Sequence, residues 1–371
     1  YHHSRVDIDD FGGPGGDDAH RQLKNDQGFF RLQPHLVSFD GKWEQTFGLS
    51  YTIYNRKDTD DFFPDDVDGG DMRFDYQSDI KLAKWNTLTF GLSADEENFA
   101  SQSISRRTAD SLGIFVQDSL TFADKLFLTA GLRYEDHSIS ESSWTYRLTG
   151  AYFVLPTTKV HASLGTGFKT PSLSNLYSSF GSPDLKPEKM TGWDAGIEQR
   201  FCNGRLAIDA TYFHNHFDNL IDFDFVTSHL QNVGETTTQG VELTLSARPI
   251  DTLTFALSYT YTDTLNNDTD KELLRRAPNK FSVSANWRYC KRGDVTLTAI
   301  YSSSRADIDP ITFGRSRVGP YTLLNLATSY RVTDNVTLYA RIDNALDRDY
   351  EEVAGFATAQ VSAYAGVKLS F

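Results

Sequence analysis

The last sixteen residues, FATAQVSAYAGVKLSF (Phe356 to Phe371), separate cleanly into two registers. Counting back in twos from Phe371 gives Leu369, Val367, Ala365, Ala363, Val361, Ala359 and Ala357, all apolar. The other register holds Ser370, Lys368, Gly366, Tyr364, Ser362, Gln360 and Thr358. Successive side chains of a strand point to opposite faces, so this period predicts a long strand with one greasy and one polar side. The pattern recurs upstream. Phe281, Val283, Ala285, Trp287 and Tyr289 alternate with Ser282, Ser284, Asn286 and Arg288, and Leu253, Phe255, Leu257, Tyr259 and Tyr261 alternate with Thr254, Ala256, Ser258 and Thr260. Val336, Leu338, Ala340 and Ile342 likewise oppose Thr337, Tyr339, Arg341 and Asp343. No helical period competes with it.

Composition sets the boundaries. The chain has 371 residues, 39% hydrophobic, 13% aromatic and 23% charged, with a net charge of −14 and a mean hydropathy of −0.44. No run approaches the ~18 apolar residues of a spanning helix, which excludes a helical membrane protein. The acidity argues against a general nucleic-acid binder, whose footprint is basic. The sequence starts at Tyr1 without an initiator Met or a signal peptide, so any targeting segment is expected to be absent or already removed, and the chain is expected to be a fragment. Cys202 and Cys290 fall in tight turns two hairpins apart. Four strand spacings separate them by about 19 Å, too far for a disulfide.

Short turns (FDGK, FADK, CNGR, CKRGD, VTDN) alternate with longer polar stretches such as NRKDTDDFFPDDVDGGD, KTPSLSNLYSSFGSPDLKPEK and SSRADIDPITFGRSR. About eighteen strands joined in this way make an antiparallel up-and-down meander with one trimmed and one elaborated edge. A soluble sandwich or propeller would use strands of ~5–6 residues around a dry core. Here the strands are long, aromatics gather near their ends, and Arg288, Arg341, Asp343 and Lys368 lie on the polar face. The reading is a transmembrane β-barrel with its greasy face in lipid and its polar face on a wet lumen. The terminal Phe371 resembles the signature by which outer-membrane assembly machinery recognises its clients.

Specific motifs narrow this further. GTGFKTPSLSNLY (Gly165 to Tyr177), GSPDLKPEK (Gly181 to Lys189), NVGETTTQGVEL (Asn232 to Leu243), LLRRAPNKF (Leu273 to Phe281) and NALDRDYEE (Asn344 to Glu351) resemble, in order and spacing, the TonB-dependent outer-membrane transporters. Around LYSSFGSPDLKPEK, NLIDFDF and ELLRRAPNKF the chain is most similar to the cobalamin receptors. The resemblance implies a bacterial outer-membrane barrel of twenty-two strands. It also implies an N-terminal plug and a TonB-box segment that couples to the inner membrane. The plug, that segment and the first four strands are then expected outside this chain, with Tyr1 in roughly the fifth strand. Such a sheet has two open edges unless its closure differs.

Candidate site residues follow. VDIDDFGGPGGDDAHRQ places Asp7, Asp9, Asp10, Asp17 and Asp18 around a Gly/Pro turn, a set of carboxylates of the kind Ca²⁺ takes. The cobalamin-receptor resemblance implies that Asp9 or Asp10 and Asp17 or Asp18 hold calcium, the alternative being an ordinary acidic loop. It also places ligand contacts at Arg275, at Phe180 with Tyr177 nearby, and at Phe356, where the family pattern has a tyrosine. Against these stand a lumen charge paired with an acid for Arg275 and loop-on-loop stacking for Phe180. His2, His3, His214 and His216 invite a metal reading, but no Cys or third His stands at zinc-ligand spacing, so rim or lumen histidines are expected. The carboxylates of DNLIDFDF come without a nucleophile motif, phosphate loop or HExxH, and no enzyme is expected. The function expected is uptake of cobalamin or a related corrinoid, with a ferric siderophore or haem receptor as the alternative and a passive porin as a further one.

Overall fold

The computed structural model describes residues 1–7, 21–60, 64–224 and 227–370. Strands dominate it in the order β1 (His2–Asp7), β2 (Gln22–Leu32), β3 (His35–Ser38), β4 (Trp43–Asp58), β5 (Asp65–Ala83), β6 (Asn86–Ala100), β7 (Arg107–Phe122), β8 (Leu126–His137), β9 (Ser140–Leu155) and β10 (Thr158–Lys169). A one-turn helix α1 (Leu173–Tyr177) precedes β11 (Glu188–Phe201), β12 (Leu206–Asp224), β13 (His229–Ile250), β14 (Leu253–Asn266), β15 (Asn279–Cys290), β16 (Gly293–Ser302), β17 (Arg305–Ile308), β18 (Arg315–Val318), β19 (Tyr321–Arg331), β20 (Val336–Asp343) and β21 (Ser362–Leu369).

All but β17 and β18, which form a separate hairpin, belong to one nineteen-stranded sheet. Both β2 and β3 pair with β4, β2 along Leu49–Asp58 and β3 along Trp43–Thr46. They are therefore one stave interrupted at Gln33 and Pro34, where proline removes a ladder donor. The wall thus has eighteen staves, as the count of connections predicts. Every neighbour is antiparallel, and among the described residues no pairing joins β1 to β21, so the sheet stays open there. Tight turns on the trimmed edge use left-handed backbone, as at Phe39, Asp40 and Gly41 and again at Cys202, Asn203 and Gly204, whose twist suits hairpins.

The two faces behave as the sequence requires. Leu369 and Val367 are 58% and 57% exposed, and Leu132, Val116, Ile114, Leu338 and Ile197 stand open as well. Val283 and Leu257 are half-buried, flanked by neighbours on the same outer surface. Aromatic rows bound this surface. Phe39 stacks on Trp43 and Trp85 on Phe122 near the short turns, while Tyr134 meets Trp144 and Trp193 meets Tyr212 towards the other edge. On β14, Leu253 pairs with Trp287 and Tyr261 lies eight residues on. That is about 26 Å of strand, or about 20 Å across the membrane at the usual tilt of ~40°, so the two rows bracket most of an apolar band of ~25 Å. The edge with longer connections therefore faces the cell exterior.

The inner face is charged and hydrogen-bonded. Arg73 pairs with Asp95 (3.2 Å), Arg31 with Asp75 (3.4 Å), Arg133 with Glu135 (2.7 Å) and His161 with Asp209 (2.9 Å). Arg133 reaches Ser93 (3.0 Å) across Gly113, where a Cβ would run into its guanidinium. Fully buried apolar side chains among the described residues are few: Val67, Ile104, Ala109, Leu173, Leu176, Ala277, Ala306 and Val318. All lie at the outer edge. Among the described residues the wall has no dry interior, and the buried apolar side chains gather beneath the outer connections.

The outer connections are shorter than their polar composition suggests. Most of NRKDTDDFFPDDVDGGD is strand, because β4 runs to Asp58 and β5 starts at Asp65. At 19 and 22 residues, β12 and β13 exceed the ~9–11 that cross a membrane and project beyond it.

Candidate functional site at the outer mouth

Two blocks of outer connections build the mouth. The first is the segment from Thr170 to Pro187. Its helix α1 is fixed by a capping box: the Ser172 hydroxyl accepts from the Asn175 N–H (3.1 Å) and the Asn175 side-chain oxygen accepts from the Ser172 N–H (3.0 Å). Leu173 and Leu176 are buried, and α1 packs against β6 and β7. The chain then folds back so closely that a Cβ on Gly181 would lie 2.5 Å from the Asn175 carbonyl. Asn232 of β13 fastens the far end. It accepts from the Lys186 N–H (2.8 Å) and donates to the carbonyls of Lys186 (3.0 Å) and Asn219 (2.7 Å).

Tyr177 and Phe180 both fall in this block. Arg107 stands 4.6 Å over the Tyr177 ring, a cation–π contact that occupies one face. Phe180 is 50% exposed and meets Phe223 edge-on at 6.0 Å. Loop-on-loop stacking is thus present, and half of the ring still faces outward.

The second block joins residues 267–278, 303–320 and 344–361 through two buried charges. Asp307 is fully buried. Its Oδ1 accepts from Arg275 Nε (2.9 Å) and the Ile308 N–H (2.8 Å), and its Oδ2 from the Ala354 N–H (2.9 Å). Burial alone would push this carboxyl up. The Ala354 N–H, the Arg275 guanidinium and the Ile308 N–H outweigh it and hold the group below the ordinary carboxylate range. Arg305, also buried, donates to the carbonyls of Glu351 (3.0 Å) and Glu352 (2.7 Å) and to the Ser302 hydroxyl (3.3 Å). The hairpin of β17 and β18 is turned by Asp309, whose carboxylate accepts from the N–H groups of Ile311 (3.0 Å) and Thr312 (2.7 Å).

Arg275 therefore has the acidic partner that the plainer reading of this residue expects. Its backbone is left-handed (φ 58°), a costly conformation for arginine, held by its N–H on the Ala306 carbonyl (2.7 Å). About half of its side chain remains exposed. Phe356 is half-buried two residues beyond Ala354, so Asp307 links its segment to Arg275. Tyr177 and Phe180 belong to the first block and Arg275 and Phe356 to the second. Asp9, Asp10, Asp17 and Asp18 lie outside the described residues. At the end of their segment Arg21 binds Asp58 (2.9 Å) and Asp60 (3.2 Å), while Asn55 donates to Asp66 (3.2 Å) and Asp68 (3.0 Å). Carboxylates of the second acidic stretch are thereby engaged within the protein.

Asn232, Arg305 and Asp307 hold the mouth together, and sequence reasoning assigned none of them a role. Asn232 was visible only as the first residue of a motif, and Asp307 is one of fifty acidic residues. His3 lies on Asp26 (2.8 Å) and His214 stacks on Trp193.

A family model for the TonB-dependent receptor-like β-barrel matches residues 1–345. The chain belongs to that family. It is a TonB-dependent receptor barrel of the bacterial outer membrane. Solved structures with a similar fold include the ferric enterobactin receptor of Pseudomonas aeruginosa. It is 17% identical with a TM-score of 0.80, over 96% of this chain and 62% of that one. The siderophore receptor PirA of the same organism is 18% identical with a TM-score of 0.74, over 96% and 65%. A copper transporter, OprC, is 17% identical with a TM-score of 0.77, over 97% and 66%. This receptor chain spans about two thirds of their length.

Proposed function

We propose that the receptor takes up a metal chelate of the siderophore class, captured at the outer mouth and released through the lumen by the energised TonB complex acting on a plug. The observation that carries this reading is the membership of residues 1–345 in the TonB-dependent receptor barrel family, together with a charged lumen wall. The choice of ligand is supported by similar folds whose names specify ferric enterobactin, a siderophore and copper. At these identities the likeness extends to fold alone, so the ligand has to be argued from the chemistry of the mouth. The mouth offers suitable chemistry: the exposed half of the Phe180 ring and the free part of the Arg275 guanidinium suit a large anionic, aromatic-rich chelate. The barrel itself performs no covalent step.

The corrinoid reading rests on the motifs around Tyr177, Phe180 and Arg275, and it makes calcium on Asp9 or Asp10 and Asp17 or Asp18 part of the site. Uptake separates the two readings. Cells expressing the complete receptor are given iron-55 loaded on a panel of siderophores, or cobalt-57 cobalamin with and without calcium, in TonB-proficient and TonB-deficient backgrounds. TonB-dependent iron accumulation from one chelate is expected. Saturable cobalamin uptake with no iron uptake would replace the siderophore reading by the corrinoid one. Steady ion conductance through the complete protein would favour a passive porin.

A further inference from the structure

The outward faces of β12 and β13 carry a group that no part of the transport reading uses. On β12 the outward register is Leu206, Ile208, Ala210, Tyr212, His214, His216 and Asp218, and on β13 it is Leu245, Leu243, Val241, Gln239, Thr237 and Glu235. The apolar part ends at the Trp193–Tyr212 aromatic pair. His216 lies four residues beyond Tyr212, about 13 Å further along the strand. The group therefore stands outside the apolar band, at the level of lipid head groups or above.

Asp218 and Glu235 are direct cross-strand partners. Two carboxylates so placed repel one another. Their only ion-pair contact among the described residues is the imidazole of His216, whose Nε2 lies 3.5 Å from Asp218 Oδ1 and 4.0 Å from Glu235 Oε2. Lys189, the neighbour of Asp218 on β11, is turned to Glu141 (3.5 Å). One ligand atom from each of the three side chains falls within 4.8 Å of the others. Ligands at the ~2.0–2.1 Å distances of zinc sit ~3.4 Å apart on a tetrahedral edge. The trio thus needs to contract by tenths of an ångström to roughly 1.4 Å, and Glu235, exposed, and Asp218, half-buried, are side chains able to move that far.

We propose that His216, Asp218 and Glu235 form a divalent-metal site on the outside of the barrel, with the fourth position open to water or to an anionic oxygen. One imidazole and two carboxylates select a metal of the zinc class over calcium or magnesium, which take oxygen ligands. The metal cancels the repulsion between the carboxylates and staples β12 to β13 where both project beyond lipid. The site is independent of what the receptor transports.

The test is a Co²⁺ absorption titration of the complete receptor in detergent, with Zn²⁺ as competitor, on wild type, H216A, E235Q and the double variant. Native-like heat-modifiable mobility on electrophoresis serves as the folding control. Wild type is expected to show the visible bands of N/O-ligated cobalt, displaced by Zn²⁺. Each single variant should weaken binding by at least the roughly 10–100-fold that even outer-shell partners contribute. Zinc-soaked crystals should show an anomalous peak between the three side chains. Superimposable titrations for wild type and the double variant, or crystals without that peak, would overturn the assignment.

Discussion

Replacing Asp307 by alanine tests whether the second loop block is a single docked unit. The substitution removes the acceptor for two backbone N–H groups, Ile308 and Ala354, and for the Arg275 guanidinium. Breaking a buried ion pair costs ~3–5 kcal/mol when the surviving charge stays buried. Arg275 is about half exposed, so water takes over much of its solvation and the loss on that side falls to about 1 kcal/mol. Adding about 1–2 kcal/mol for the half-buried Ala354 N–H that loses its acceptor, docking of residues 344–361 should weaken by about 2–3 kcal/mol, or roughly 30–150-fold at ~1.4 kcal/mol per decade. The effect is local, because the wall ladder does not pass through this carboxylate. Hydrogen exchange read by mass spectrometry should show peptides covering 344–361 and 267–278 exchanging faster by that factor, with β14 and β15 unchanged. D307N keeps one acceptor and the shape, and should fall between. Exchange of 344–361 that matches wild type in D307A would refute the idea that this buried carboxylate holds the loops. The carboxyl is held low when docked, so its contribution is complete above the unfolded carboxylate value near 4 and is lost as pH falls through the still lower docked value. Docking should therefore be flat from pH 5 to 8 and loosen only in stronger acid.

Leu257 lies midway between the Trp287 and Tyr261 rows, so L257R should destabilise the folded barrel in lipid by ~2–4 kcal/mol, measured by urea unfolding in vesicles. The lumen-facing S258R should change it little, and equal effects would reverse the assignment of faces. R305K keeps the charge but loses the fork that grips the Glu351 and Glu352 carbonyls. Limited trypsin digestion at Arg348 should accelerate, and an unchanged rate would count against Arg305 as a clamp. Cys202 and Cys290 are free and exposed, so the folded protein should titrate two thiols per chain before and after mild oxidation in dilute solution, where an intramolecular bridge would read none.

The wall was legible because lipid on one side and water on the other impose strict alternation, seen plainly from Phe281 to Tyr289. Above the membrane that contrast disappears. Thr236, Thr237 and Thr238 continue β13 without any change in polarity to announce it, so the outer ends of the longest strands read as loops. Helix α1 is five residues long, too short to show a period. Phe180 and Arg275 could be singled out, and the partners that engage them, Phe223 and Asp307, are set by contacts between loops distant in sequence. The pairing of Asp218 with Glu235 depends on strand register, which turned an unremarkable histidine pair into a three-ligand group.

With no dry interior in its wall, this protein has two separate rules for tolerating change. Shaving a methylene from Leu243 or Val367 leaves no hole, since a fluid acyl chain flows into the space, so size on that surface is nearly neutral while polarity is not. Beneath the outer loops, Leu173, Leu176 and Val318 are enclosed by solid neighbours, and there volume is policed to the methyl group. Drift in side-chain size should accordingly be free on the greasy belt and arrested in the small patch that gives the mouth its shape.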